Sequence, residues 1–233
     1  MTAAIDPAVL LLTPVPLERQ ALVATISREC ALLPVSGLRL EADYAPDLRV
    51  LLAAGGHGKA QFGIQAQYLI GRFPEARLMI CAGAAGRLDP DLKVGDIVIA
   101  RETVEHDFRE KIKPRPLPRF AADPLLLERV RAAVEATKRS YRVVIDTVAS
   151  GDIDCVDVEH GCTIRRETEA ACVAWEGAGA FRAARFNGIS CLELRAISDA
   201  ADEDAEKHFF QNVGRVMGNL GEVALDLVKA LGA

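Results

Sequence analysis

The chain has 233 residues, half of them hydrophobic and 26% charged, with aromatics at only 5% and a formal net charge of -5. That length holds a full core within one expected domain spanning 1–233. The acidic balance excludes a surface devoted to nucleic acid, which needs an excess of Lys and Arg to displace counterions from phosphates, so the expected partner is a small molecule. In chain order, AVLLLT (8–13) reads as a strand and 16–30 as a helix. RVLLAAG (49–55) is a strand, 58–72 a helix, and RLMICAGA (77–84) and DIVIA (96–100) are strands. A helix over 123–138 precedes the strand YRVVIDTVAS (141–150), and ACVAW (171–175) precedes a helix over 177–187. ISCLELRAI (189–197) is the last strand, and a helix over 204–231 closes the chain. Runs that are apolar at consecutive positions predict strands covered on both faces, and strands alternating with helices predict an α/β sheet between helix layers.

The final helix carries Phe209, Phe210, Val213, Val216, Leu220, Val223 and Leu227 on one stripe at steps of three and four, the pattern of a helix packed on a sheet. The segment Arg109 to Arg119 (REKIKPRPLPR) interleaves basic residues with three prolines and is read as a solvated loop. No run reaches the roughly 18 to 20 apolar residues needed to cross a bilayer. The N-terminal MTAAIDPAVLLLTP has no basic segment ahead of its short apolar stretch, so a cytoplasmic location is expected. Six cysteines at irregular spacing, mostly within apolar segments, read as reduced thiols. Cys155, His160 and Cys162 lack the paired short spacing of a structural zinc site, and no metal or cofactor is expected.

GGHGKA (55–60) is not a Walker loop, because Ala53 and Ala60 stand where a Gly and a Ser or Thr belong. The dinucleotide fingerprint fails as well, with Gln61 in place of the third Gly. What remains is a glycine-rich turn from strand to helix, either a plain tight turn or a place where backbone amides face an oxygen ligand. His57 in that turn and His106 beside Asp107 each fit a base or, as is commoner, a structural hydrogen-bonding residue.

AGAAGRLDPDLKVGDIVIA (82–100) resembles the signature of the 5′-methylthioadenosine and S-adenosylhomocysteine nucleosidases, within the nucleoside phosphorylase and nucleosidase superfamily. TPVPLERQA with Glu18, GHGK with Gly56 just ahead of it, Ser-Gly-Asp (150–152), WEGAGA with Glu176, and RAISDAAD with Arg195, Ser198 and Asp199 follow in the family's order. The resemblance spans about residues 8 to 230 and implies a three-layer α/β/α fold with a central mixed, largely parallel sheet. It also implies a nucleoside substrate and a homo-oligomer, in the family often a dimer. By resemblance, Asp199 is the general acid that protonates the purine, Glu18 the general base for the attacking water, and Glu176 the acceptor for the ribose 2′ and 3′ hydroxyls. Arg195 would orient the water or Glu18. The chemistry agrees, because a leaving base must gain a proton while the water loses one, a task for two separate carboxylates.

Each carboxylate also has a plain structural reading: Asp199 as a helix N-cap, Glu176 as a first-turn acid, and Glu18 as a surface residue. The sequence departs from the family at two places. Ala84 stands where nucleosidases carry Ser, and Ile153-Asp154-Cys155 stands where an aromatic residue stacks on adenine, leaving Trp175 as the flat surface and Cys155 as a wall of the base pocket. The segment that accommodates the 5′ substituent is expected to be the basic loop. Phosphorylases hold phosphate with arginines near the N-terminal loop, where the one candidate is Arg19. Three readings follow: a purine nucleoside hydrolase acting on a 5′-substituted adenosine derivative, a phosphorylase, and a nucleoside-binding protein with little catalysis. Futalosine-type nucleosides or an adenosyl lipid such as adenosylhopane fit the first, the lipid giving the basic loop a weak membrane-surface contact.

Overall fold

The computed structural model describes residues 5–232; residues 1–4, part of the stretch read for a targeting segment, lie outside them. Strands and helices alternate as β1 (Val9–Thr13), α1 (Pro16–Ile26), β2 (Leu33–Pro34), β3 (Ala42–Ala45), β4 (Val50–Ala54), α2 (Gly58–Arg72), β5 (Leu78–Arg87) and β6 (Ile97–Glu105). They continue as β7 (Arg119–Ala121), α3 (Pro124–Ala136), β8 (Val143–Ser150), α4 (Val158–Thr168), β9 (Cys172–Ala174), α5 (Gly177–Asn187), β10 (Ser190–Asp199) and α6 (Ala205–Leu231). Every expected strand and helix is present. The additions are α4 and the short strands β2, β3 and β7, and Arg119 opens β7 instead of belonging to the loop.

The ten strands form one sheet in the order β10-β6-β8-β9-β5-β1-β4-β3-β2, with β7 on the edge of β6. The long pairings, β5 with β10 and β6 with β8, are parallel, as are those of β1 with β4 and β5. Antiparallel pairings such as β6 with β10 and β5 with β9 are short. Because β10 also pairs with β5, the strands β5, β10, β6, β8 and β9 close on themselves, and β1, β4, β3 and β2 extend from the ring as an open flank. Helices α1, α3 and α6 pack together as one layer, and α2 and α5 as the other. The close approach of α2 to α5 depends on Gly179: a Cβ there would lie 2.2 Å from the Lys59 carbonyl oxygen.

The strands are buried on consecutive residues, as their apolar runs require. Val9 to Thr13 and Val50 to Ala53 are fully covered, and Phe62, Leu69, Met79, Ile80, Val216, Met217 and Leu220 fill the space between sheet and helices. Helix α6 is amphipathic as expected, with one correction: Phe210 points outward and is 63% exposed, and Phe209 is only partly covered. The largest fully buried side chain of the molecule is not apolar but Arg195. No helix among the described residues is long and apolar enough to cross a membrane.

Candidate active site

A cleft of about 500 Å³ opens where β1, β4, β8, β9 and β10 end, with the wall of β5 beside it. Strand ends are where ligands gather in open α/β sheets, because the loops there are free to carry chemistry. Glu18, Ala84, Cys155, Trp175, Glu176, Arg195, Ser198 and Asp199 all line it. Gly56 does not. At φ +84, with Gly58 at φ +79, it gives the turn between β4 and α2 its left-handed backbone. The turn contributes instead through Gly58, whose N–H donates to Glu176 Oε1 at 3.1 Å. His57 in the same turn is exposed at the cleft wall, edge-on to Trp175 with ring centroids 4.2 Å apart.

Glu18 lies in the first turn of α1, and the surface reading fails: it is 3% exposed. Its Oε1 accepts from the Ala84 N–H at 2.7 Å and its Oε2 from the Val15 N–H at 3.1 Å. Burial pushes its pKa up to about 7, with the Ala84 hydrogen bond opposing and the Glu176 charge adding to the rise. The backbone of Ala84 therefore holds the carboxylate, with no hydroxyl needed for that task. Ala84 belongs to the continuous strand β5 and not to a turn.

Asp199 ends β10 and caps no helix; the residue preceding α6 is Asp204. Burial holds the Asp199 carboxyl above the usual carboxylate range, against hydrogen bonds from the Ser198 hydroxyl and the Ala201 N–H. Those bonds are 2.6 Å to Oδ2 and 2.9 Å to Oδ1. The Ala85 carbonyl, 3.3 Å from Ser198 Oγ, offers the hydroxyl a second acceptor when Asp199 carries a proton. Ala201 takes φ +51, a conformation uncommon for a residue with a side chain, to bring its N–H under Asp199. Gly86 leaves the necessary room, since a Cβ there would stand 2.8 Å from Asp199 Oδ1.

Glu176 and Arg195 form the floor. Of the two tasks expected of Arg195, orienting the water or orienting Glu18, the second has no hydrogen bond behind it, since Arg195 is held by Glu176 and Glu193. Arg195 Nη2 donates to Glu176 Oε2 at 3.2 Å and its Nε to Glu193 Oε1 at 2.8 Å. Each Glu176 oxygen accepts one protein hydrogen bond and keeps a lone pair for a ligand hydroxyl. Glu193, fully buried, and Thr103, whose hydroxyl donates to it, were missed by sequence reasoning. The signal was a charged residue inside an apolar strand, two positions before Arg195 and hence on the same face.

The cleft is also lined by Val15, Ile153, Asp154, Val156, Ala205, Glu206, Phe209 and Phe210. The basic loop is not part of it, which corrects the expectation for the 5′ end: Arg109, Glu110, Arg115 and Leu117 line a separate depression with Glu167. His106 is also elsewhere, buried beneath Gly151. Arg19 turns away to ion pairs with Glu41 and Asp43. Among the described lining residues Arg195 is the one Lys or Arg.

Comparison with known proteins gives a consistent picture. The profile of the phosphorylase superfamily matches residues 9–231. The 5′-methylthioadenosine/S-adenosylhomocysteine nucleosidase of Mycobacterium bovis (strain ATCC BAA-935 / AF2122/97) is 31% identical over 214 residues, covering 79% of this chain and 83% of that protein. The aminodeoxyfutalosine nucleosidase of Helicobacter pylori (strain 26695) is 27% identical over 183 residues, covering 76% and 78%. The crystal structure of the Neisseria meningitidis 5′-methylthioadenosine/S-adenosylhomocysteine nucleosidase in complex with methylthio-immucillin-A superposes with a TM-score of 0.83 at 26% identity, over 95% of this chain and 98% of that one.

Proposed function

Since the chain belongs to the phosphorylase superfamily, we propose that it is an N-ribosyl hydrolase cleaving the glycosidic bond of an adenosine derivative that carries a 5′ substituent, with water as the nucleophile. The observation that carries the reading is the meeting of Glu18, Glu176 and Asp199, distant in sequence, around one cleft. Burial favours the neutral form of both Glu18 and Asp199, and their hydrogen-bond partners differ. Glu18, with its pKa near 7, takes a proton from water at neutral pH. Burial raises Asp199 above the usual carboxylate range, the direction in which a proton donor to the purine must move, and its place at the end of β10 puts it on the cleft. Glu176 receives the ribose diol and places its negative charge beside a sugar that becomes cation-like in the transition state. Water is favoured over phosphate because Arg195, the one Lys or Arg lining the cleft, is already held by two carboxylates. Free adenine released from 5′-substituted adenosines, assayed with and without phosphate, tests this. Release independent of phosphate, with ribose free of phosphate, is expected. A strict phosphate requirement identifies a phosphorylase, and tight binding without base release identifies a nucleoside-binding protein.

The substrate's outer part is read from Ile153, Val156, Phe209 and Phe210, an apolar portion of the lining beside Asp154 and Glu206 that suits a hydrophobic 5′ group. Trp175 and Cys155 border the base. Two surface features support the expected partners. Ile64 and Phe186, 71% and 84% exposed on the adjoining helices α2 and α5, suit the face of a homodimer. Sedimentation of the parent against a Phe186→Glu variant reads that assembly. Ile112, 96% exposed between Lys111 and Lys113, suits a weak contact with an anionic lipid surface. Co-sedimentation with anionic vesicles reads that contact.

A further inference from the structure

Strand β10 carries a carboxylate two residues before Arg195 and on the same face of the sheet. Glu193 is fully buried, flanked along the strand by Leu192 and Leu194, and packed so tightly over the start of α5 that a Cβ on Gly177 would lie 2.1 Å from its Oε2. A buried carboxylate in a strand of this kind is costly to keep, and an apolar residue of similar volume does the packing as well. What Glu193 does is fix a guanidinium. Its Oε1 takes the Arg195 Nε–H at 2.8 Å, and its Oε2 is held by the Thr103 hydroxyl from β6.

The orientation matters because of what lies on the other side of Arg195. Nη2 meets Glu176, while Nη1 points along the Ala84 carbonyl at 3.4 Å. Nη1 and Glu18 Oε1 flank the same bare Cα: a Cβ on Gly83 would stand 2.7 Å from the first and 3.0 Å from the second. Both groups border one glycine, so a guanidinium released from its anchor has Glu18 as a neighbouring carboxylate. An arginine paired directly with Glu18 would hold that carboxylate ionised and make it a poor acceptor for a proton from water. We propose that Glu193 is a positioning residue that anchors Arg195 on Glu176 and keeps it from pairing directly with Glu18.

The other ionisable groups near Glu18 do not substitute for this anchor. Glu176 at the start of α5 and Arg195 on β10 act on it directly. Cys81 on β5 is a buried thiol whose pKa lies well above its usual value through burial. His57 ahead of α2, Asp154 after β8, Asp199 on β10 and Glu206 on α6 line the same cleft without a hydrogen bond to Glu18. Arg19, the neighbour of Glu18 on α1, is engaged by Glu41 and Asp43.

The inference rests on reading Glu18 as the base, and the test keeps the two apart. The titration of Glu18 is followed by difference infrared spectroscopy on protein with ¹³C-labelled glutamate carboxyls, the Glu18 band being assigned by subtracting a Glu18→Gln variant. In Glu193→Gln the Glu18 titration is expected to fall by about half a unit or more, since an incompletely balanced cation now stands within its reach. The acid limb of kcat/KM should move to lower pH with it, and Glu193→Asp, which retains the charge, should bring both back toward the parent. A smaller fall in the Glu193→Gln titration overturns the proposal, whatever happens to the rate. Should that variant fold poorly, Thr103→Val/Glu193→Leu removes the hydroxyl donor together with its acceptor, leaves Arg195 without its anchor as the test requires, and is read by the same criterion. Hydrolysis that survives Glu18→Gln dismisses Glu18 as the base, while the titration in the Glu193 variants still decides the role of the anchor.

Discussion

At the scale of single residues, the two carboxyls assigned to proton transfer are both pushed toward their neutral forms by burial, yet their hydrogen bonds differ. Glu18 accepts from two backbone amides; Asp199 accepts from one amide and from a hydroxyl with another acceptor at hand. Proton donation helps only the transition state, so Asp199→Asn should lower kcat by about 10²-fold or more with little change in ligand affinity. Single-turnover rates beside a binding titration check this, and a variant near parental turnover removes Asp199 from its role. The raised pKa of Glu18 also has a stability consequence. The unfolded chain releases this proton near 4.5 and the folded chain near 7. Its contribution is therefore intact below 4.5, declines as pH rises through that window, and above it leaves the folded state short by about 3 kcal/mol. Glu18→Gln should abolish hydrolysis while making the protein more stable than the parent at pH 8 and about equally stable at pH 4. Urea midpoints at the two pH values measure it, and an equal difference at both refutes the cause given.

At the scale of elements, two glycines separate packing from propensity. Gly179→Ala drives a Cβ into the Lys59 carbonyl and should destabilise by about 1–3 kcal/mol. Gly214→Ala, on an exposed part of α6 with nothing within 4 Å, should stabilise by about 0.5–1 kcal/mol. Denaturant unfolding of both variants reads the contrast, and like signs would show that the α2–α5 contact is looser than described. The elements visible in the sequence were those with long apolar runs or a long periodic stripe. Helix α4 (VEHGCTIRRET) escaped because Ile164 is the one large apolar residue it buries, and its evident start, Asp157 capping the His160 N–H, stands outside any apolar pattern. Strands of two to four residues such as β2, β3 and β7 are too short for a period to register. The site was legible wherever a carboxylate sat at a strand end. Glu193 was not, because it lies in the middle of a strand and not at its end, and its partner Thr103 meets it only across the pairing of β10 and β6.

At the scale of the whole molecule, the closed half of the sheet depends on β10 pairing with both β5 and β6, contacts between segments far apart in the chain that no local pattern encodes. Closure brings the ends of β5, β8, β9 and β10 to one rim, and the open flank adds β1 and β4, so acid, base and sugar-holding groups arrive from separate segments. The acidic lining of that rim has a further effect. Apart from the two proton-transfer carboxyls, Glu176, Asp154 and Glu206 outnumber Arg195, and Glu193 offsets part of its charge from behind. Such a cavity repels a phosphoryl group, so AMP should be a poor substrate beside adenosine, a comparison that a base-release assay makes directly. Selection against phosphorylated nucleotides would then come from the field of the cavity, before shape is tested, and an enzyme that destroys adenosine derivatives could work among the adenylates without draining them.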